Sequence, residues 1–377
     1  MSKKRNKLKM AGIFFLLLLI AVVGKPETAK AAAEKIELNR SYTVELDGSY
    51  SSRLYEFTVP EAGNLNIQAK NSDPAGSREI NLQLLDSNNL SLSEGDWNTN
   101  VELPVYSTDG GRSFYLKLTG DYVGCTAVLT VNFEPAADWE SEENNTTAAA
   151  DLITAGKNWY GAVNDENDPY DYFKFRLNAG KKVTVTFGPK EVSGEDHRWD
   201  VYLINSDNES VKIYDGGSTT QTYTCYLKKG TYFLRVDRWN YSNVNVLYAL
   251  SYKESALKLA KPAVSSIKCT GYENVFGNYV ELDKIRIKNS GDATGYTVRV
   301  SNKKNMGKPN TTEEIDFDEK NTKKQISLKT HFAPGKTFYV KARSYVKDPF
   351  GAKIAAGKYG AVKGMRLSSS LYKKLTQ

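Results

Sequence analysis

The residues best suited to hold a ligand form two polar groups near the middle of the chain. The first group is acidic and amide-rich, and the second follows about twenty-five residues later at the start of a strand-like run. Their members are Glu140, Glu142, Asn144, Asn145, Asp165, Asp168 and Asp171. Calcium takes six to eight oxygen ligands in flexible geometry, so these side chains could bind it. The alternative is a solvated acidic linker followed by an Asp- and Asn-rich turn.

Catalytic chemistry finds little support in the sequence. The only histidines are His197 and His331, which are far apart, so a histidine-based zinc motif is absent and no catalytic triad is evident. Cys125, Cys225 and Cys269 lack the close spacing of a metal site or a redox motif. No pair of carboxylates stands out for glycoside hydrolysis. We therefore expect a protein that is not an enzyme.

Aromatic residues give a further signal for ligand binding. Trp97, Trp239 and Tyr241 are predicted in loops or near strand ends, where exposed rings can stack on sugars or on a protein ligand. Trp199 leads an apolar strand and is predicted in the core instead. The candidate ligand contacts are therefore Trp97, Trp239 and Tyr241.

The N-terminal region predicts export. A basic stretch at residues 3–9 precedes an apolar run over residues 11–23, and small residues follow. This is the layout of a secretory signal peptide at residues 1–31, and the run is shorter than the roughly twenty residues of a membrane-spanning helix. We expect cleavage after Ala31 or Ala33 and a secreted or cell-surface-associated protein. An uncleaved N-terminal anchor would leave the location outside the cell unchanged.

Charge is divided unevenly along the chain. Residues 1–31 carry seven Lys or Arg and one Glu, so they account for six of the formal net charge of +7. From residue 260 onward there are 23 Lys plus Arg against 10 Asp plus Glu, whereas residues 32–259 carry a net charge of about −12. A basic C-terminal region suggests attachment to an anionic surface such as cell-wall polymer, the alternative being a solvated lysine-rich surface. Nucleic acid is not expected as a partner of an exported protein.

Strand signals and an internal duplication define the fold. Apolar and polar residues alternate over short runs bounded by turn residues, which is typical of an all-β protein. Residues 55–59 resemble residues 173–177, and residues 111–118 resemble residues 230–236, at offsets between roughly 117 and 119. A Lys-rich third module follows. We predict three tandem β-sandwich domains after the N-terminal signal peptide, at residues 34–134, 138–253 and 260–368.

The second module resembles the bacterial pre-peptidase C-terminal domain. The resemblance rests on the acidic lead-in at residues 140–146, on the paired aspartates in residues 168–175, and on residues 230–236. Residues 34–134 resemble the family more weakly, because they lack both the lead-in and the paired aspartates. The family is a β-sandwich appended to many secreted peptidases and also found in non-enzymatic exported proteins.

This resemblance implies a calcium site. In the related collagen-binding modules of clostridial collagenases, a similar lead-in and a similar Asp pair bind calcium. Carried over to this sequence, the ligands are Glu140, Glu142, Asn144, Asp168 and Asp171. Asp165 is a looser candidate.

The third module is similar to a fibronectin type III domain. Residues 295–302, 334–345 and 357–360 resemble the strands and turns of that family in surface proteins of Gram-positive bacteria, with Tyr359 in place of the usual Trp. The resemblance implies a third β-sandwich.

Together these features predict a secreted, non-catalytic binding or adhesion protein of the cell surface. It would engage an extracellular polymer, glycan or protein, and its basic C-terminal domain would attach to an anionic cell wall. Two alternatives stay open: an accessory protein that captures substrate for a secreted peptidase, and a hydrolase hidden in the first module.

Overall fold

The computed structural model describes most of the chain after residue 32. The described residues are 33–72, 78–163, 168–190, 199–217, 219–238, 247–273, 279–306, 312–318, 326–331, 337–366 and 368–376. Nearly all of their regular structure is β-strand, which confirms the predicted all-β fold. No helix within these ranges is long and apolar enough to cross a membrane. The predicted signal peptide, Asp165, His197, Trp239 and Tyr241 lie outside them.

Two packed sheets form the first β-sandwich. Its strands are β1 (Glu34–Lys35), β2 (Arg40–Leu46), β3 (Ser52–Thr58), β4 (Gly63–Asn71), β5 (Ile80–Leu85), β6 (Ser91–Glu94), β7 (Asn100–Glu102), β8 (Tyr106–Thr108), β9 (Ser113–Gly120) and β10 (Cys125–Pro135). One sheet has the order β1-β3-β9-β5-β6, and the other has the order β2-β10-β4-β7, with β8 also paired to β4. The short pair between β1 and β3 is parallel.

The second β-sandwich repeats this arrangement. Its strands are β11 (Asp151–Leu152), β12 (Asn158–Gly161), β13 (Tyr170–Leu177), β14 (Lys181–Pro189), β15 (Trp199–Asn205), β16 (Ser210–Gly217), β17 (Gln221–Leu227), β18 (Gly230–Arg238) and β19 (Tyr248–Ala256). The sheet orders are β11-β13-β18-β15-β16 and β12-β19-β14-β17, and β11 is parallel to β13. The two sandwiches therefore share the same strand order, as the duplicated sequence pattern predicts.

Alternation along each strand explains why the sheets pack in pairs. In β9 the side chains of Phe114, Leu116 and Leu118 are buried, while Tyr115 and Lys117 between them are partly exposed. Successive strand side chains point to opposite faces, so one face of each sheet is apolar and packs on the other sheet. Each buried side chain of this size contributes about 1.5–3 kcal/mol.

The core of the second sandwich is rich in aromatic rings. Trp199 is buried, as the sequence predicts, and its ring contacts Phe187 edge-on. Phe187 also packs against Tyr214 and Tyr248. Tyr248 lies at the end of this cluster and carries a hydroxyl group into the polar site described below.

The third unit has two further sheets. Its strands are β20 (Ala263–Glu273), β21 (Tyr279–Lys288), β22 (Gly295–Ser301), β23 (Thr312–Phe317), β24 (Ile326–His331), β25 (Thr337–Lys347), β26 (Lys353–Ala356) and β27 (Lys363–Arg366), followed by helix α1 (Ser369–Thr376). The sheet orders are β20-β21-β24 and β23-β22-β25-β26, with β27 also paired to β25. Ile285, Val298 and Val340 are buried between these sheets.

Candidate metal centre

The lead-in segment between the first two sandwiches runs beside β12. The backbone NH of Glu140 donates to the carbonyl of Tyr160, and the NH of Tyr160 donates to the carbonyl of Asp138, both at 3.0 Å. In this segment Glu140, Glu142 and Asn144 are all buried, with 3%, 7% and 0% of their surface exposed. The segment therefore delivers three polar side chains into the protein.

Asp171 meets these residues from β13. It pairs with Val236 of β18 and is fully buried. The hydroxyl of Tyr248 lies 2.5 Å from Asp171 Oδ2 and 2.8 Å from Glu140 Oε2. A phenol has one hydrogen and can donate to only one of these oxygens at a time. The other contact therefore requires a proton on the carboxyl group or a cation that attracts both oxygens.

Three carboxylates converge at this point. One oxygen from each of Glu140, Glu142 and Asp171 lies within 4.8 Å of the other two. Among the described residues, Oδ1 of Asn144 and Oδ1 of Asp171 are buried and have no hydrogen-bond partner. Buried polar atoms are nearly always satisfied, so these two oxygens are available to a bound cation or water. An all-oxygen donor set of this kind fits calcium.

The electrostatics of the cluster also favour a cation. Burial raises the pKa values of Glu140, Glu142 and Asp171 well above the ordinary carboxyl values, and repulsion from neighbouring carboxylates raises them further. Burial likewise raises the pKa of the Tyr248 hydroxyl, with Asp171 and Glu140 adding to the effect. A divalent cation would supply the positive charge that allows the three carboxylates to ionise together.

Gly161 makes the site sterically feasible. It pairs with Tyr248 across β12 and β19. A Cβ atom at this position would lie 2.3 Å from the Tyr248 hydroxyl and 2.4 Å from Glu140 Oε2, which is too close for any side chain. The next residue, Ala162, donates its backbone NH to Glu140 Oε1 at 2.6 Å. The end of β12 thus leaves room for the hydroxyl and fixes the Glu140 carboxylate.

The first sandwich also holds the lead-in segment. The NH of Glu142 donates to the carbonyl of Ser107 on β8 at 2.9 Å, and Arg112 Nη1 donates to the carbonyl of Glu142 at 2.6 Å. A cleft of about 270 Å³ separates the two sandwiches here. Its lining includes Leu92, Tyr106, Glu142, Glu143, Asn145 and Asp168. Glu142 is therefore connected to both sandwiches.

The first sandwich has no acid at the position of Asp171. The strand registers align Phe173 with Tyr55, so Arg53 corresponds to Asp171. The exposed side chain of Arg53 lies 3.5 Å from Asp47. The first sandwich therefore lacks the paired aspartates, which is the difference that the sequence shows between the two copies.

The structure brings four of the five predicted ligands into one cluster: Glu140, Glu142, Asn144 and Asp171. Asp168 lines the adjacent cleft, and its charge contributes to the raised pKa values of Glu140 and Glu142. That these residues bind calcium remains a prediction. Trp97 is 41% exposed, whereas the other predicted ligand contacts, Trp239 and Tyr241, lie outside the described residues.

Sequence reasoning missed three residues of the site: Tyr248, Gly161 and Asp151. Asp151 Oδ2 accepts hydrogen bonds from the NH of Ser141 and from Asn144 Nδ2, both at 3.0 Å. In the sequence, Tyr248 is one more position of a strand-like run, and Gly161 belongs to the family resemblance without an assigned role in the site. Only the pairing of β12 with β19 reveals their role.

Comparison with known proteins bears on the second sandwich. The family model described as the bacterial pre-peptidase C-terminal domain matches residues 169–238. No curated protein matches the chain.

Several solved structures are similar to parts of the chain. The pre-peptidase C-terminal domain of a collagenase from Bacillus anthracis is 24% identical, with 26% of this chain and 94% of that chain covered and a TM-score of 0.23. The FN1–FN3 domains of chicken CNTN1 are 9% identical, with 84% and 97% covered and a TM-score of 0.23. Tripeptidyl peptidase 2 is 10% identical, with 91% and 32% covered and a TM-score of 0.24. The family-model match therefore shows that the second sandwich contains a domain similar to the bacterial pre-peptidase C-terminal domain.

Proposed function

We propose that the chain is a non-catalytic binding protein of the cell exterior whose second sandwich binds calcium at the joint with the first. The observation that carries the proposal is the buried cluster of Glu140, Glu142 and Asp171, together with the orphaned oxygens of Asn144 and Asp171. Its position in a pre-peptidase C-terminal-like domain supports the same reading. A binding role for such a domain also fits an all-β chain built from packed sheets.

Calcium would be held by the five predicted ligands, Glu140, Glu142, Asn144, Asp168 and Asp171. When bound, it would supply the charge that the buried carboxylates lack. Ion binding is then linked to folding, because the unfolded chain does not assemble the ligands. Since Glu142 is also bonded to Ser107 and Arg112, the ion would stiffen the joint between the sandwiches.

Titration calorimetry and thermal melting of the chelator-treated protein test the calcium site. Calcium is expected to release or take up heat and to raise the Tm, because a ligand at a hundredfold excess over its Kd stabilises the native state by about 2.7 kcal/mol. Asp171→Asn should abolish both effects, while Glu134→Gln, which alters an exposed carboxylate outside the cluster, should preserve them. Absence of any calcium effect, or an equal effect in Asp171→Asn, would contradict the proposal.

The basic third unit supports attachment to an anionic wall polymer. Glu314 pairs with Arg299 and Arg343, Asp316 with Lys353, and Asp318 with Lys347. These ion pairs involve most of the acidic side chains that the structure describes in this unit. The sequence from residue 260 onward nevertheless has 13 more basic than acidic residues. Sedimentation with purified cell wall is expected at low salt and should be lost as the ionic strength rises, because screening weakens exposed charge attraction. Salt-independent sedimentation would argue against charge attachment.

An accessory role beside a secreted peptidase is the second candidate. The family-model match favours it, because the matched domain is named for its place after a peptidase. In that case the protein should bind the peptidase's substrate without cleaving it, whereas an adhesion protein should bind whole cells or matrix. Incubation with fluorescent casein and with labelled collagen separates binding from cleavage, and cleavage of either would revive a hidden hydrolase.

A further inference from the structure

Three aromatic rings are exposed together at one end of the first sandwich. Tyr50, Trp97 and Tyr122 have 61%, 41% and 69% of their surface exposed. The ring centroids of Tyr50 and Trp97 are 6.0 Å apart in an edge-on contact, and those of Tyr50 and Tyr122 are 6.4 Å apart. These rings come from three separate loops, so their proximity is a property of the fold and not of local sequence. Large exposed apolar clusters on a soluble domain mark interaction sites.

The loops hold these rings in a fixed arrangement. Gly48, Ser49 and Tyr50 have φ values of 88°, 54° and 57°, so three consecutive residues adopt the left-handed region. The NH groups of Ser49 and Tyr50 donate to the carbonyls of Tyr122 and Asp121, at 3.0 and 3.3 Å. A left-handed tyrosine is unfavourable and is usually kept where function requires it. The hydrogen bonds between these two loops therefore preorganise the backbone that carries Tyr50 and Tyr122, which reduces the entropy lost on binding a ligand.

A polar cleft lies along the chain segment that carries Trp97. Its volume is about 360 Å³, and Asp96 and Asn98, the chain neighbours of Trp97, contribute to its lining. Other lining residues include Glu94, Asn100 and Glu102. All of these side chains end in planar carboxylate or amide groups, which can bond two neighbouring hydroxyl groups at once. The cleft has three carboxylates and no basic lining residue, so it disfavours anionic ligands.

We propose that this surface binds a neutral polysaccharide, with the aromatic rings stacking on sugar faces and the cleft accepting sugar hydroxyl groups. A sugar ring offers an apolar C–H face and a rim of hydroxyl groups, which match the exposed rings and the polar side chains of the segment that carries Trp97. The carboxylates disfavour teichoic acids, nucleic acids and anionic lipids as the occupant. The inference rests on the proposed binding function and names the ligand class and the residues that it would use.

Affinity electrophoresis in gels containing xylan, galactomannan or mixed-linkage β-glucan tests this inference. The protein without residues 1–31 is expected to be retarded by at least one of these polymers. A Trp97→Ala, Tyr122→Ala double variant should lose at least tenfold in affinity, while Tyr122→Phe should retain binding because the ring face is kept. Tyr170→Ala, which removes an exposed ring of the second sandwich, is the matched control and should bind normally.

Two results would overturn the inference. One is the absence of retardation by any neutral polymer, and the other is equal retardation of the double variant with an unchanged Tm. If no neutral polymer binds, co-sedimentation with phosphatidylcholine vesicles that depends on Trp97 would assign the rings to a membrane instead. The calcium proposal is tested separately, because Asp171→Asn should lose the calcium effect and keep polysaccharide binding. Retained polysaccharide binding without a calcium effect would contradict the ion site alone.

Discussion

Gly161 and Tyr248 are a complementary pair of residues. They face each other across β12 and β19, and the absent side chain of one makes room for the hydroxyl of the other. In the first sandwich the strand registers place Val44 and Ala127 at these positions. There the larger side chain lies on the other strand, and Val44 belongs to the apolar core. The second sandwich has a small residue and a large one where the first has a large residue and a small one. This difference leaves room for a polar site beside Asp171, whereas the first sandwich has an apolar core at the same place.

The substitution Gly161→Ala tests this steric argument. The added methyl group must displace the Tyr248 hydroxyl or the Glu140 carboxylate, so we expect a loss of about 1–3 kcal/mol in the free energy of unfolding, as for other overpacked sites. Calcium binding should weaken in parallel. Gly180→Ala is the control, because its nearest neighbour would be an ordinary 3.5 Å away. Urea denaturation with and without calcium measures both effects, and an unaltered Gly161→Ala protein would refute the argument.

The buried carboxylates also predict a dependence on pH. The pKa values of Glu140, Glu142 and Asp171 are raised, chiefly by burial, above the ordinary 4.5 and 3.8. In the absence of calcium the native state then holds protons that the unfolded state has released. The contribution of these groups to its stability is greatest below the ordinary carboxyl pKa and falls as the pH rises through the raised values. Bound calcium would take the place of these protons.

The difference in Tm between calcium and chelator should therefore grow as the pH rises from about 4 to about 8. Melting curves over this range, recorded in both conditions, provide the measurement. Asp171→Asn should flatten the dependence. A difference in Tm that stays constant with pH would mean that these carboxylates do not titrate with folding.

Among the structural elements, the lead-in segment has an unusual position, because two sandwiches share it. Its carbonyl at Glu142 accepts the Arg112 guanidinium, and its side chains enter the second sandwich. A hydrogen bond from a charged donor contributes about 1.5–3 kcal/mol. The first sandwich thus helps to preorganise a site that lies in the second.

Arg112→Leu is expected to weaken calcium binding by about tenfold, since about 1.4 kcal/mol of the lost bond corresponds to that factor. The leucine side chain preserves contact with Phe114, over which the guanidinium now lies. Arg53→Leu, at an exposed arginine that pairs with Asp47, should leave the affinity unchanged. Calorimetry gives the affinity, and cleavage by a Glu-specific protease reports on the lead-in segment. Equal affinities in both variants would show that the joint does not support the site.

The sequence predicts strands and short segments well, but it does not predict contacts that depend on strand register or on distant loops. Alternation identifies strands such as β9 because burial repeats with the same period as the backbone. The candidate ligands Glu140, Glu142 and Asn144 could be named from the sequence because they lie on one short segment whose residue types resemble the family's lead-in. The contribution of Tyr248 cannot be predicted in this way, because it depends on the register of β12 against β19. The cluster of Tyr50 with Trp97 depends on loops that are distant in sequence.

At the scale of the whole molecule, the described chain has three separate apolar cores. The second and third units are connected by Asp292, which accepts from Lys182 and Tyr226 at 3.3 and 3.2 Å, and by Phe350, which packs against the core of the second sandwich. These contacts include no residue of the candidate metal centre. The first and second units share the lead-in segment and its buried ligands, so their coupling should depend on calcium.

Differential scanning calorimetry should resolve this difference. Calcium is expected to raise the transition that includes the second sandwich and to bring the first closer to it, while the transition of the third unit stays at its temperature. Asp171→Asn should remove the shift, and Glu134→Gln should not. A uniform shift of every transition would indicate non-specific ion effects instead of a site at the joint.

The two-residue strand β11 has a consequence for association between chains. It covers part of the outer edge of the eight-residue strand β13, and the carbonyl of Asn144 in the lead-in segment accepts from the NH of Tyr172 on the same edge at 3.2 Å. Asp151 of β11 is itself bonded to Ser141 and Asn144 of that segment. Loosening of that segment would uncover the edge of β13, and an open strand edge is a template for pairing with a second chain. A bound ion at the joint would therefore protect the protein against edge-to-edge aggregation.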